Sequence, residues 1–142
     1  MKKSAYSRED EDILAKTIFG EARGEYCKTG ISGLIAIGNV VVNRVNKGGF
    51  FGESVAAVCK KPWQFSCWNV GDPNLVVITK ANRLDFLFNV CHEVAVALLD
   101  GKLPDLTQGS DHYHSCYVKP KWAENAIPKL RLGKHVFYKL RP

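Results

Sequence analysis

The stretch LAKTIFGEARGE, residues 14–25, decides how the first part of this chain folds. Apolar residues recur in it at three- and four-residue spacing, which predicts one face of an amphipathic helix. Glu21 follows Leu14 by seven residues and Ile18 by three, so its side chain shares that apolar face. A carboxylate there is unfavourable unless burial serves a purpose. Glu21 is therefore the first candidate functional residue.

The rest of the chain predicts further helices and a small amount of β structure. Ser7 with Asp10 three residues later resembles a capping box at the start of the first helix. The remaining segments are GISGLIAIGNVVVNRV (30–45) as a buried central helix, SVAAVCK (54–60) as a short helix, 79–101 as a second long helix, DHYHSCYV (111–118) as an extended segment and LRLGKHVFYKL (130–140) as a hairpin or lone strand. A strand is the alternative for IGNVVVNRV (37–45). Residues 1–142 thus predict one α+β, mainly α domain.

Composition bounds the class of protein. The chain has 142 residues, 46% hydrophobic and 24% charged, as in an ordinary globular domain. Its net charge of +6 lies at the C-terminal end, where residues 117–142 hold seven Lys and Arg against Glu124 alone. Such an end favours a polyanionic neighbour, either nucleic acid, anionic lipid or cell wall. A solvated basic surface explains it equally well.

The start of the chain and its cysteines bear on location. MKKSAYSREDEDIL is basic at first but has no apolar region after it, so no secretory signal is predicted. No run reaches the roughly 18 apolar residues that a membrane helix needs. The five cysteines have no CxxC spacing. We therefore expect a reduced chain that is cytoplasmic as synthesised.

Two interpretations of Glu21 follow from the residues themselves. Burial raises the pKa of a carboxyl group, and a protonated carboxylic acid can give its proton to a leaving oxygen, as in glycosidases. Glu25, one turn later, would raise that pKa further by repulsion. Alternatively, Glu21 pairs with Arg23, Arg44 or a lysine and only ties helices together.

The loop PWQFSCWNVGDPN, residues 62–74, holds two tryptophans and a phenylalanine. A loop tryptophan often just covers the core. Two of them around Gln64, Phe65 and Ser66 are also typical of a groove that stacks on sugar rings. The loop is the candidate wall of a substrate groove.

HYH, residues 112–114, is the other cluster with chemistry. On an extended chain His112, His114 and Cys116 share one face and Tyr113 takes the other. The three could hold zinc with a fourth ligand, although the spacing is not that of a strong zinc motif. Histidines and a tyrosine that line a polar cleft are the favoured interpretation.

Five segments in order resemble the SleB/CwlJ-type cell-wall hydrolase family. They are LAKTIFGEARGE (14–25), IAIGNVVVNRV (35–45), SVAAVCKKPWQFSCWN (54–69), GSDHYHSCYVKPKWAEN (109–125) and LGKHVFYK (132–139). The resemblance implies a lysozyme-like fold and cleavage of the glycan strands of peptidoglycan. It implies that Glu21, the first glutamate of GEARGE, is the catalytic acid. Cys67 and Cys116 are unusual within the matching segments.

The resemblance favours a lytic transglycosylase with one acid and base. Hydrolysis with Glu25, Asp72 or Asp111 as second carboxylate stays open. The predicted substrate-binding residues are Glu25, Gln64, Phe65, Ser66, Trp68, His112, Tyr113 and His114. No cofactor or metal and no nucleic acid is expected, and the chain is expected to be a monomer. A cytosolic wall-degrading enzyme would fit a phage-type endolysin whose basic end meets an anionic envelope.

Two rival functions remain from other classes. An amidase that cuts the sugar–peptide bond would need a metal or a cysteine nucleophile. A non-catalytic module that binds cell wall or nucleic acid through the basic end would release no product.

Overall fold

The computed structural model describes residues 6–142. The basic start of the chain, which entered the prediction of no secretory signal, lies outside them. The helices are α1 (Arg8–Ala22), α2 (Tyr26–Thr29), α3 (Ile31–Lys47), α4 (Val55–Lys60), α5 (Pro73–Lys80) and α6 (Phe86–Leu99), and the strands are β1 (His112–Ser115), β2 (Leu130–Leu132) and β3 (His135–Tyr138). The mainly helical prediction with a C-terminal β element is confirmed. No helix within 6–142 is long and apolar enough to cross a membrane.

Helix α1 begins as its sequence predicts. The Ser7 hydroxyl accepts from the Asp10 N–H at 3.1 Å, and the Asp10 carboxylate accepts from the Ser7 N–H at 2.8 Å. This reciprocal pair satisfies two of the backbone donors that a helix start leaves open. Leu14 and Ile18 are fully buried, so the apolar face packs into the core and carries Glu21 toward it.

The central helix is α3, and the alternative strand over residues 37–45 is wrong. Its apolar residues are buried on nearly all sides because α1 and α6 both pack against it. Gly38 makes one close approach possible, since a Cβ there would clash with Leu98 and lie 3.1 Å from Ile18 Cδ1. A helix buried this fully reads as continuously apolar, which is why a strand also fitted the pattern.

The single helix predicted from Thr79 to Gly101 is two helices. Thr79 belongs to α5, and α6 starts afresh after Asp85, whose carboxylate accepts from the Phe88 N–H at 2.9 Å. Between them the Asn82 side chain accepts from the Leu84 N–H at 2.9 Å. Asn and Asp side chains that bond nearby backbone compete with a helix and favour caps and turns. Gly101, with φ +72°, follows the end of α6, where its sequence places it.

The strands form one antiparallel sheet in the order β1-β3-β2. Strands β2 and β3 are the predicted hairpin, and β1 pairs with β3 so that Tyr113 opposes Phe137 and His114 opposes Val136. Alternation along the strands gives the sheet two different faces. Phe137 lies in the core and Tyr113 packs against it, so theirs is the inner face. His114 and Tyr138 belong to the outer face.

Candidate active site

Glu21 is half-buried at the end of α1, where α1 meets β1 and the loop after α4. The Tyr113 hydroxyl donates to Glu21 Oε1 at 2.5 Å. Cys67, which is fully buried, also bonds the carboxylate through its backbone and its thiol. Three segments that are far apart in sequence therefore converge on one carboxyl group.

The balance of these contacts keeps Glu21 protonated to higher pH than an exposed glutamate. Burial is the largest influence and raises its pKa, and the charge of Asp72 adds to that. The bonds from Tyr113 and Cys67 lower the pKa, but the net change is upward. The pKa of Tyr113 is itself well above its usual value because of burial and the neighbouring Glu21. Tyr113 therefore stays a neutral phenol and a donor.

Gly20 allows Cys67 to approach Glu21. A Cβ on Gly20 would lie 2.7 Å from Cys67 Cβ and 2.8 Å from Cys67 Sγ, which is closer than real atoms pack. Sequence reasoning noted Cys67 only as unusual and did not place it at the site. The available signal was a glycine in the last turn of a helix, directly before the candidate acid, because such a glycine often marks a close approach.

The interpretation of Glu21 as an ion pair between helices is contradicted. Within residues 6–142, no ion pair includes Glu21. The Arg23 guanidinium donates to Asn74 Oδ1 at 2.6 Å. Arg44 donates to the Asp111 carbonyl at 2.8 Å, and its guanidinium lies 5.0 Å from the centre of the Phe65 ring. Both candidate arginines thus have other partners.

All three proposed second carboxylates make structural bonds, and two of them are buried. Glu25 is buried beneath the β2–β3 turn and accepts from the Lys134 N–H at 2.5 Å. Contrary to the prediction, it is therefore not placed to contact substrate. Asp111 is buried and holds backbone N–H groups at the end of the chain. Asp72 caps α5 by accepting from the Asn74 N–H at 2.8 Å. Its charge reaches Glu21, although more weakly than burial does.

The predicted groove residues divide into core and surface. Phe65 is fully buried and packs 6.3 Å from the Tyr113 ring, so it supports the site from beneath rather than lining a groove. The Gln64 side-chain oxygen Oε1 accepts from the Arg44 guanidinium at 3.2 Å. Ser66 is exposed.

Trp68 is the groove candidate that the structure places best. Its indole N–H donates to Thr17 Oγ1 at 2.8 Å, one helical turn before Glu21. With Trp63 and Lys60 it lines a cavity of about 350 Å³. Because Trp68 directly follows Cys67, this cavity adjoins the loop that holds Glu21. An aromatic wall at that place suits a sugar ring.

His112 and His114 lie on the outer face of the sheet, contrary to the prediction that they share a cleft with Tyr113. Trp122 packs against both rings, with centroids 5.1 Å and 5.6 Å away. The alternation noted in the sequence separates them from Tyr113, because only one face of β1 reaches the acid. Across residues 6–142 no three His, Cys, Asp or Glu side chains are grouped to hold a metal ion.

A mainly helical domain with a small sheet, and a carboxyl group at their junction whose pKa burial raises, are the features of an enzyme that uses a carboxylic acid. The chain belongs to the cell wall hydrolase family, whose sequence model matches residues 28–138. Glu21 precedes the matched range, so its assignment rests on the geometry of the site.

Solved structures support the fold. The chain superimposes on the catalytic domain of the Bacillus cereus SleB protein with a TM-score of 0.74 at 22% identity, covering 96% of this chain and 94% of that one. It also superimposes on the catalytic domain of SleB from Bacillus anthracis, described as a germination-specific lytic transglycosylase, with a TM-score of 0.73 at 24% identity. That match covers 97% of this chain and 100% of the other. No curated protein sequence matches significantly.

Proposed function

We propose that this protein cleaves peptidoglycan glycan strands between N-acetylmuramic acid and N-acetylglucosamine as a lytic transglycosylase, with Glu21 as its single acid and base. The observation that carries the proposal is the half-buried Glu21 carboxyl, held by Tyr113 and Cys67, while Glu25 and Asp111 are bonded elsewhere. The similar Bacillus anthracis domain is described as a germination-specific lytic transglycosylase, which supports the proposal.

The chemistry needs one carboxyl group in two protonation states. Protonated Glu21 gives its proton to the glycosidic oxygen as the bond from that oxygen to muramic C1 breaks. The resulting carboxylate then takes the proton of the muramic C6 hydroxyl, whose oxygen attacks C1 and closes a 1,6-anhydro ring. No water is consumed, and Glu21 ends protonated. The Tyr113 hydroxyl stabilises the carboxylate between the two transfers because hydrogen bonds to a charged acceptor are the strong ones.

Hydrolysis is the competing reaction, and it requires a second carboxylate across the scissile bond. Asp72 is the candidate that remains, because its charge acts on Glu21 and its side chain is not buried. Its backbone cap on α5 gives it a structural role as well.

Product analysis separates these reactions. Purified peptidoglycan is digested with the wild-type chain, Glu21→Gln and Asp72→Asn, and the fragments are weighed by mass spectrometry. We expect 1,6-anhydromuramic ends from the wild type, their loss with Glu21→Gln, and their retention with Asp72→Asn. Reducing ends that disappear with Asp72→Asn would establish hydrolysis instead. Cut peptide stems would indicate an amidase, and undiminished activity of Glu21→Gln would refute the proposal.

A further inference from the structure

A second cavity, of about 410 Å³, lies on the outer face of the sheet. It is lined by His114 and Tyr138 from β1 and β3 and by the segment 116–124 that follows β1. Tyr113 and His114 are consecutive on β1 and point to opposite faces. The sheet therefore separates this outer pocket from Glu21, and the reaction proposed above does not use it.

The floor of the outer pocket is rigid and aromatic. The His114 and Tyr138 rings are stacked with centroids 5.3 Å apart, and Trp122 meets both edge-on. His114 Nδ1 is 2.8 Å from the Ser115 carbonyl, and Nε2 is 2.8 Å from the Tyr138 hydroxyl. A carbonyl only accepts, so Nδ1 donates to it, and Nε2 pairs with the Tyr138 hydroxyl. Lone pairs of the Tyr138 oxygen are left for a ligand that donates.

Among the charged side chains that line the outer pocket, cations outnumber carboxylates. Lys119, Lys121 and Arg131 line it, together with one carboxylate, Glu124. In the part of the chain that the structure describes, none of the three cations forms an ion pair. These charges are complementary to a ligand with several carboxylates and one ammonium group. A polymer of phosphates would meet repulsion from Glu124.

We propose that the outer pocket binds the peptide stem of peptidoglycan through its carboxylates, while the glycan that carries the stem lies at Glu21. The inference rests on the proposed function. Stem peptides with a diamino acid carry several carboxylates and one free amine, which is the charge pattern that the pocket complements. The volume falls in the usual range for small-ligand sites.

The sheet topology allows one glycan chain and its peptide stem to reach both sites. Strand β1 is at the edge of the sheet, because the order is β1-β3-β2. An extended tetrapeptide spans about 13 Å, which is enough to pass around the edge of a sheet layer roughly 10 Å thick. A stem held on the outer face would raise the local concentration of its own glycan at the acid. The pocket would thereby select strands that still carry their stems.

A titration of a free tetrapeptide stem containing a diamino acid into ¹⁵N-labelled wild-type protein tests the inference. We expect chemical-shift changes at His114, Tyr138 and Arg131. Lys121→Gln/Arg131→Gln removes two of the exposed cations and should weaken binding about tenfold. The matched control, Lys80→Gln/Lys129→Gln, removes the same charge from exposed positions outside the pocket and should leave binding unchanged.

Two further ligands identify the chemistry that is recognised. The same peptide with its carboxylates amidated should bind at least tenfold more weakly, and a glycerol phosphate polymer should bind more weakly than the stem. No binding, equal binding of the amidated peptide, tighter binding of the phosphate polymer, or equal loss in the control variant would overturn the inference. Peptide binding needs no cleavage, so it succeeds or fails independently of the anhydro products that test the proposed function.

Discussion

Asp111 is a buried carboxylate that ties the end of the chain to the helical core. It accepts from the N–H groups of Leu140 and Arg141, each at 2.9 Å, and forms an ion pair with Lys47 at 2.8 Å. Burial by itself would raise its pKa, but these partners outweigh burial and lower the pKa to about 2 from an ordinary 3.8. We predict that Asp111→Asn destabilises the fold without removing a catalytic group.

The magnitude follows from the pKa. Asp111 is ionised at a lower pH in the folded state than in the unfolded state, so its stabilisation is fully present above about pH 5 and is lost as pH falls toward 2. The lowering of the Asp111 pKa from 3.8 to about 2 corresponds to about 2 kcal/mol of stability. Removing one member of a buried ion pair costs about 3–5 kcal/mol. Because Lys47 keeps the Gly109 and Arg141 carbonyls as partners, we expect a loss nearer the lower figure at pH 7.

Urea unfolding of the wild type and Asp111→Asn from pH 7 to pH 2 measures this directly. The difference in unfolding free energy should be about 2–4 kcal/mol at pH 7 and should shrink by about 2 kcal/mol by pH 2. Asp100→Asn, at an exposed position, is the control and should show neither effect. A pH-independent difference would refute the electrostatic argument. A folded Asp111→Asn protein that has lost turnover would show that Asp111 serves the reaction as well as stability.

Two changes at Glu21's own neighbours complete the predictions. Tyr113→Phe removes a hydrogen bond that lowers the Glu21 pKa, so the alkaline limb of the pH–rate profile should move to higher pH. The rate should also fall about tenfold. An alkaline limb that stays in place would contradict the assignment of Glu21 as the acid. Gly20→Ala drives a methyl group into Cys67 and should cost about 1–3 kcal/mol in thermal or urea unfolding. Gly24→Ala, where a Cβ meets no described atom within 4 Å, should cost far less, and equal losses in the two variants would contradict the contact with Cys67 as the cause.

The features that the sequence predicts correctly depend on nearby residues. The Ser7 cap, the apolar face of α1 and the β2–β3 hairpin each need only a few adjacent positions. The error at residues 79–101 is also local, because Asn82 and Asp85 bond backbone in a way that apolar spacing does not reveal. Cellular location and oligomeric state stay predictions, since neither depends on contacts within one chain.

The sequence identifies the candidate acid but not the residues that contact it. Glu21 is a candidate by its place on an apolar face, and the resemblance of GEARGE implies a catalytic role for it. Tyr113 is 92 positions away, and period-two alternation shows only that it faces away from His114. Which of the two faces meets the acid depends on how the sheet packs against α1. That packing depends on residues far apart in the sequence. The sequence alone therefore does not show that Tyr113 meets Glu21 while the two histidines do not, and the prediction of one shared cleft is wrong.

Asp111 holds β1 in the register that points Tyr113 toward Glu21. It lies immediately before β1, its own N–H donates to the Tyr138 carbonyl at 2.9 Å, and its carboxylate holds the two residues that follow Lys139. These bonds fix the register of β1 against β3. A slip of one residue would turn Tyr113 outward and bring a histidine to Glu21, because side chains alternate with a period of two. Asp111, a candidate second carboxylate for hydrolysis, thus helps to decide which residue of β1 meets Glu21.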